Sequence, residues 1–384
     1  MLLGMTRPRT ILERRASVPK PSIVVAGGGY AGMAALAAFQ RRNSADVTLV
    51  DPSPVHQLIP ELPTALREGG SVGQHTMPFA ELLKDTGVSW RQDAVRRVLA
   101  AEKRVILHSG GELVFDWLLM CVGSTTRWPS VPGLRNHAYP FRTAVDAQAL
   151  RDRLAHNDGL MVVVLGGGLT GVEVAGELAA RHRVRVLEAA PRVLPEVGPG
   201  LSRYADRVLR QKGVAILAPA QVKAVEASRL LMDGGDAISY DVLVWTGGIA
   251  PPDVDWAGVD MDDHGYPVPD EWGQVAPSVF VAGDAYIVRR RGEIVPQTAQ
   301  LAEEAGTFVA HTVLARIRDG RPGPPFDPHF KGLLVALDSH RGVGWVMRRG
   351  LAVKGYSARA LKGLVFSQYR SRLGASFREA STDD

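Results

Sequence analysis

The stretch Ile23-Val24-Val25-Ala26-Gly27-Gly28-Gly29-Tyr30-Ala31-Gly32 runs from a short apolar strand into a glycine turn of spacing G-x-G-x-x-G. An Ala-rich segment over 31–42 has the composition of a helix, and Val47-Thr48-Leu49-Val50 reads as a second strand ending at Asp51. Each glycine has its own steric task. Gly27 permits the tight turn, Gly29 lets backbone approach a phosphate, and Gly32 lets helix and strand pack in contact. The helix start offers unpaired N–H groups and the positive end of its dipole, which suits a pyrophosphate. Asp51 falls about 20 residues beyond the last glycine, where a carboxylate accepts from a ribose hydroxyl. Strand, turn, helix and acid together predict a β-α-β dinucleotide-binding unit, whereas the glycines alone would predict only a turn.

The same order returns at Gly166-Gly167-Gly168-Leu169-Thr170-Gly171, with a strand over 161–165, a helix over 172–181 and a strand over 184–187 that ends at Glu188. A carboxylate there accepts from a ribose 2′-OH and repels a 2′-phosphate, so NADH is expected ahead of NADPH, with nearby Arg192 softening the preference. Alternating segments over 95–99, 104–108 and 113–122 predict an antiparallel meander, and a matching stretch spans 214–245. A helix over 146–156 leads into the second unit. Another over 298–317 follows Phe280-Val281-Ala282-Gly283-Asp284, and the Gly/Pro-rich stretch 320–328 reads as a linker. The expected fold is α/β, with two Rossmann-like three-layer dinucleotide-binding domains, the second inserted in the first, and a small α+β C-terminal region. The boundaries expected are a basic leader at 1–20, a first domain at 21–144 and 266–320, an inserted domain at 145–265, and a C-terminal region at 321–384. Two dinucleotide sites imply two nucleotides. A bound nicotinamide has reason to lie beside a second dinucleotide when that second one is a flavin receiving its hydride.

Composition narrows the class further. A chain of 384 residues suits two or three domains. No run approaches the roughly 18 apolar residues of a membrane span. The net charge of +5 is too mild to argue for nucleic acid, although arginines gather toward both ends and permit contact with an anionic membrane. The single cysteine, Cys121, excludes an internal disulfide or dithiol pair and fits a reducing cytoplasm. The leader carries Arg7, Arg9, Arg14 and Arg15 without a long apolar core, unlike a secretory signal. Scattered histidines show no metal-ligand spacing, so no metal is expected.

With these motifs in place, the chain resembles the two-dinucleotide-binding-domain flavoproteins, in which the first site holds FAD and the inserted domain holds NAD(P)H. Residues 116–124, Asp-Trp-Leu-Leu-Met-Cys-Val-Gly-Ser, are similar to that group's apolar strand ending in A-T-G, with Gly123 in place. Val279-Phe280-Val281-Ala282-Gly283-Asp284 is similar to its F-x-x-G-D signature, which implies that Asp284 bonds the flavin ribityl chain. Disulfide reductases and sulfide:quinone reductases need more cysteines than this chain has. The remaining motifs resemble type II NADH:quinone oxidoreductases: Asp51-Pro52 followed by His56, Leu165 through Glu177, Val244-Trp245-Thr246-Gly247-Gly248, and Gln297-Thr298-Ala299-Gln300-Leu301-Ala302. Glu304 stands where the last of these motifs carries a second Gln, a departure that bears on the acceptor.

The resemblance implies FAD contacts at Gly27, Gly29, Tyr30, Ala31, Gly32, Asp51, Pro52, Gly123, Gly283, Asp284, Gln300, Leu301 and Ala302. It implies NADH contacts at Gly166, Gly168, Leu169, Thr170, Gly171, Glu188, Gly247 and Gly248. Glu173 is expected to participate in catalysis near the nicotinamide, and Gln300 to meet the flavin or acceptor. A helix-dipole carboxylate and a polar cap are the plainer alternatives for these two. His56 is equally a pocket residue or a locally bonded loop histidine. Hydride is expected to pass from nicotinamide to flavin and two electrons onward to a quinone-like acceptor. A soluble reductase of a specialised metabolite or carrier protein, and an NADH-sensing flavoprotein with little turnover, remain open. The last helix mixes Leu361, Leu364, Val365 and Leu373 with Arg359, Lys362, Arg370 and Arg372, which suits the inner face of a membrane, a dimer mate or its own protein.

Overall fold

The computed structural model describes residues 20–42, 45–290, 292–329, 331–347 and 350–378. Apart from Lys20, the expected basic leader lies outside them. The chain opens with β1 (Ser22–Ala26), α1 (Tyr30–Gln40), β2 (Asp46–Val50), β3 (Ser89–Arg91) and β4 (Trp117–Met120). A second unit follows with β5 (Ala138–Pro140), α2 (Ala144–Leu154), β6 (Met161–Leu165), α3 (Leu169–Leu178), β7 (Arg183–Leu187), α4 (Pro199–Gln211), β8 (Ala215–Leu217) and β9 (Val242–Trp245). The chain then returns through β10 (Gln274–Ala276), β11 (Val279–Val281) and α5 (Ala299–Asp319). It ends in β12 (Gly332–Ala336), β13 (Gly342–Val346), β14 (Leu351–Gly355) and α6 (Tyr356–Arg378).

The first sheet runs β10-β11-β4-β1-β2-β3, parallel except for β10. The second runs β5-β9-β6-β7-β8, parallel throughout. In both, the order reverses beside the strand that feeds the glycine turn, which is where doubly wound sheets open a crevice for ligands. The first sheet is completed only by β11, far along the chain, so the second unit is an insertion as expected.

The segment 113–122 does not stay in the meander. Glu112–Val114 pairs there, the chain turns at buried Phe115, and β4 enters the parallel sheet between β1 and β11. Asp116 fastens the crossing by accepting from the Ser22 N–H at 2.8 Å. An unbroken Trp-Leu-Leu-Met run suits a strand covered on both faces, and that overrides the alternation of its neighbours. Helix starts also move. Thr143 caps α2 in a reciprocal box with Asp146, and α3 starts directly after its glycine turn, so both begin earlier than expected. Thr298 caps α5, its hydroxyl accepting from the Leu301 N–H at 3.2 Å.

Burial ties the C-terminal piece to the inserted unit. Leu333, Val335, Leu337, Val343 and Trp345 share one core with β6, α3 and β7, and Leu62, Ala65 and Leu66 from the first unit join it. Helix α6 then crosses to the first unit, where Tyr369, Leu373 and Phe377 pack on α1 and α5.

Candidate active site

The two glycine turns are near copies. Gly27 and Gly166 sit at φ +98° and +108°, conformations that L side chains rarely adopt. Gly29 and Gly168 share φ −73° and ψ −167°, and both cap their helices without any side-chain hydrogen bond. A Cβ at Gly32 would overlap the Gly27 carbonyl oxygen, and one at Gly171 the Gly166 oxygen, so close helix–turn packing demands glycine at both. A Cβ at Gly29 would meet nothing within 4 Å. The first cradle is therefore bare backbone N–H facing open space, with Tyr30 and Ala31 supplying the first helical turn, and it fits a pyrophosphate.

Both acids lie where the spacing placed them. Asp51 accepts from the Gly28 N–H at 2.6 Å and the Ser53 N–H at 2.8 Å, while Pro52 carries the chain out of the strand. Burial pushes its pKa up and these two N–H groups pull it back. Glu188 accepts from the Gly167 N–H at 2.5 Å and the Ala190 N–H at 2.6 Å. Each carboxylate has about four acceptor positions, so each is held by backbone and can still receive ribose hydroxyls.

Beyond the first cradle, Gly123 and Gly283 take φ of +70° and +69°, turning the chain at the ends of β4 and β11. Their exits bring Ser124 and Asp284 together, and Arg142 joins them from the approach to α2. The Arg142 guanidinium donates to the Ser124 carbonyl at 2.8 Å and hydroxyl at 2.5 Å, and lies 3.7 Å from the Asp284 carboxylate. Burial raises the Asp284 pKa and Arg142 opposes it. Gln297 bonds the carbonyls of Asp284 and Tyr286, both at 3.3 Å. Leu301 and Ala302 are buried, and Ala302 backs onto Gly283. The Gln300 amide donates to the His329 carbonyl at 3.1 Å, and Glu304 accepts from the His329 N–H at 3.0 Å. The two positions of the glutamine motif thus clasp the start of the C-terminal piece. Gly247 lies under the Trp245 indole, and Gly248 turns at φ +111°.

Glu173 lies in the second turn of α3 and is only 6% exposed. Its Oε1 accepts from the Lys362 ammonium of α6 and, at 2.8 Å, from the Ala336 N–H of β12. One turn on, buried Glu177 holds Arg67 through two hydrogen bonds, at 3.0 and 2.6 Å. His56 is fully buried. Its Nδ1 lies 2.9 Å from the Gly28 carbonyl, which can only accept, so Nδ1 carries the proton and Nε2 accepts from the Tyr369 hydroxyl at 3.0 Å. Burial depresses the His56 pKa to about 4, keeping the ring neutral. His56 is thus neither a loop residue nor locally bonded: it lies in the strand Val55–Gln57, and its partners come from the first glycine turn and from α6. Lys362, Arg67, Arg142 and Tyr369 carry no motif of their own. The one available signal was the pair of acids on apolar α3, since buried carboxylates require cationic partners.

Two glycine cradles, each with a backbone-held acid, on two doubly wound units with one inserted in the other, define the two-dinucleotide flavoprotein class. The chain matches the pyridine nucleotide-disulphide oxidoreductase family over residues 21–306 and belongs to it. It is 28% identical to demethylphylloquinone reductase NdbB of Synechocystis over 373 residues, covering 90% of this chain and 91% of that one. It is 26% identical to the type II NADH:quinone oxidoreductase of Staphylococcus aureus over 381 residues, covering 87% and 92%. Its fold matches NDH2 from Plasmodium falciparum in complex with NADH, with a TM-score of 0.81 at 18% identity over 94% of this chain and 97% of the other. The disulphide chemistry in the family's description has no counterpart here, because Cys121 is the only cysteine. Burial pushes its thiol up to about 12.

Proposed function

We propose that this protein is a flavin-dependent NADH:quinone oxidoreductase, catalysing NADH + H⁺ + quinone → NAD⁺ + hydroquinone. The observation that carries the reading is the pair of matching glycine cradles in one chain, and the quinone reductases among its relatives supply the acceptor class. When bound along the first cradle, FAD supplies an acceptor for the nicotinamide hydride and a two-electron donor for the quinone. The protein's part is placement. The N-terminus of α1 and Gly29 hold the flavin pyrophosphate, Asp51 the ribose, and Asp284, braced by Ser124 and Arg142, the ribityl chain. Gly168 and the first turn of α3 hold the NADH pyrophosphate. Glu188 favours a free 2′-OH over a 2′-phosphate, which supports NADH ahead of NADPH as the donor. Glu173, fixed by Lys362 and Ala336, anchors the C-terminal sheet over α3 and shuts water from that side of the inserted unit.

A quinone with a long apolar tail resides in lipid, so its reductase has to reach a membrane surface. Among the described residues no helix is long and apolar enough to cross one. The C-terminal piece instead exposes Met347 and Tyr356, each 75% exposed, together with Leu351, Leu364 and Val365. Exposed Lys354 lies between Leu351 and Tyr356 in the chain, a composition suited to peripheral contact with an anionic leaflet. The decisive experiment is anaerobic mixing of the flavin-loaded protein with NADH, followed by a survey of soluble quinones and protein carriers. Flavin bleaching followed by rapid reoxidation with quinone is expected. Failure of NADH to bleach the flavin refutes the proposal, and reoxidation by a carrier protein alone moves the acceptor to the soluble class.

A further inference from the structure

The two cradles differ at the glycine that caps each helix. Gly29 faces open space, whereas the nearest atom to a Cβ built at Gly168 is the Glu196 carboxylate oxygen, at 3.7 Å. That position faces the uncapped N-terminus of α3, whose first turn holds no acid of its own. Glu196 reaches it because the segment after Glu188 doubles back over the glycine turn. Leu194 donates its N–H to the Gly167 carbonyl at 2.8 Å, and Ser202 donates its hydroxyl to the Val193 carbonyl at 2.6 Å. The doubling back requires Leu194, fully buried, to adopt a left-handed conformation at φ +49° and ψ +55°. A leucine in that conformation is strained and persists only where its surroundings enforce it. Strain of this kind collects at ligand sites.

We propose that Glu196 sets the affinity of the second cradle, its carboxylate sharing the α3 N-terminus with the pyrophosphate of an incoming dinucleotide. The inference rests on the reading of that cradle as the NADH site. A nucleotide binds there against an anion already in place, so both NADH and NAD⁺ are held less tightly than by a bare helix end. The charged groups facing Glu196 are Glu188 from the end of β7 and Arg192 from its own segment. Glu196 is exposed at the surface, and partial desolvation against the cradle raises its pKa; a hydrogen bond from its own backbone N–H opposes the rise, Glu188 adds to it and Arg192 opposes it. As pH falls through that raised value the carboxylate takes a proton, the repulsion disappears and nucleotide binding tightens. By linkage, bound nucleotide raises the Glu196 pKa further.

The test is calorimetric titration of the flavin-saturated protein with ADP-ribose, which has the same pyrophosphate and no nicotinamide, from about pH 5 to about pH 8. Glu196→Gln is expected to bind about fivefold tighter than wild type at the upper pH, the worth of one unit-charge pair 4 Å apart in a water-like dielectric. The variant's affinity should also lose the acid-side rise that wild type shows. Adenosine, which lacks the pyrophosphate, should bind both proteins alike. An unchanged or weaker affinity for ADP-ribose in Glu196→Gln overturns the proposal, as does an equal gain for adenosine, which would make the effect steric. If ADP-ribose binds neither protein, the assignment of the second cradle fails along with it.

Discussion

Replacing Lys362 by Met removes the cation that faces Glu173 while keeping most of the side chain's volume. Glu173 and Lys362 are 6% and 8% exposed, so water reaches neither freely. In the variant the carboxylate retains only the Ala336 N–H of its two partners. Leaving a buried charge in that state costs about 3–5 kcal/mol, and loss of the ammonium over Phe366 adds roughly 0.5 kcal/mol. Glu173→Gln leaves the Lys362 ammonium buried without its counter-charge, but its amide oxygen still accepts from both partners, so its cost should fall at the lower end of the same range, about 3 kcal/mol. The double variant removes both charges and should lie closer to wild type than the Lys362→Met single, with a coupling of at least about 2 kcal/mol. Urea unfolding followed by tryptophan fluorescence measures this, with FAD held at one saturating concentration so that ligand linkage is constant. A Lys362→Met variant within about 1 kcal/mol of wild type, or an additive cycle, would refute the account of the pair as a buried, mutually dependent contact.

Three further outcomes follow from other contacts. His56 is depressed to about 4 from an ordinary 6.5, so the unfolded chain takes up its proton first. Stability should fall as pH drops from 6.5 toward 4, by up to about 3 kcal/mol, and melting temperatures of His56→Phe should lack that component; an identical pH slope would rule it out. Gly306→Ala places a Cβ on the Ala31 carbonyl where α5 crosses α1, and should cost about 1–3 kcal/mol and loosen FAD in equilibrium dialysis. Gly323→Ala, with open space around it, is the neutral control, and equal behaviour of the two would contradict the packing account. Leu364→Asp combined with Val365→Asp should abolish co-sedimentation with anionic vesicles while leaving NADH reduction of the flavin intact; persistent co-sedimentation would place the membrane contact elsewhere.

What the sequence disclosed and what it concealed divide by range. Gly27, Gly32, Gly166 and Gly171 are dictated by local backbone geometry, and the acids at 51 and 188 by the length of one β-α-β unit, so spacing alone located both cradles. Trp117 to Met120 was assigned to the wrong sheet because its alternating neighbours dominate a local pattern, while its true partners β1 and β11 lie far away in the chain. Lys362 and Tyr369 looked like ordinary residues of an amphipathic helix. Their partners, Glu173 and His56, are 189 and 313 positions distant, and no periodicity spans such separations. Glu196 was equally invisible, since its placement depends on a leucine in a conformation that propensity disfavours.

The reach of α6 has a consequence for the order in which the molecule is made. Its Lys362 secures a helix of the inserted unit, and its Tyr369 secures, through His56, the carbonyl of the first glycine turn. Both cradles leave the ribosome long before this helix does, and at about 5–20 residues per second the interval amounts to many seconds. Until then Glu173 has no cation and His56 no phenol. A nascent chain can therefore collapse around its two sheets while both nucleotide sites still lack their final brace. A message truncated near its end would yield a protein whose fingerprints are intact but whose grip on both nucleotides is weakened together.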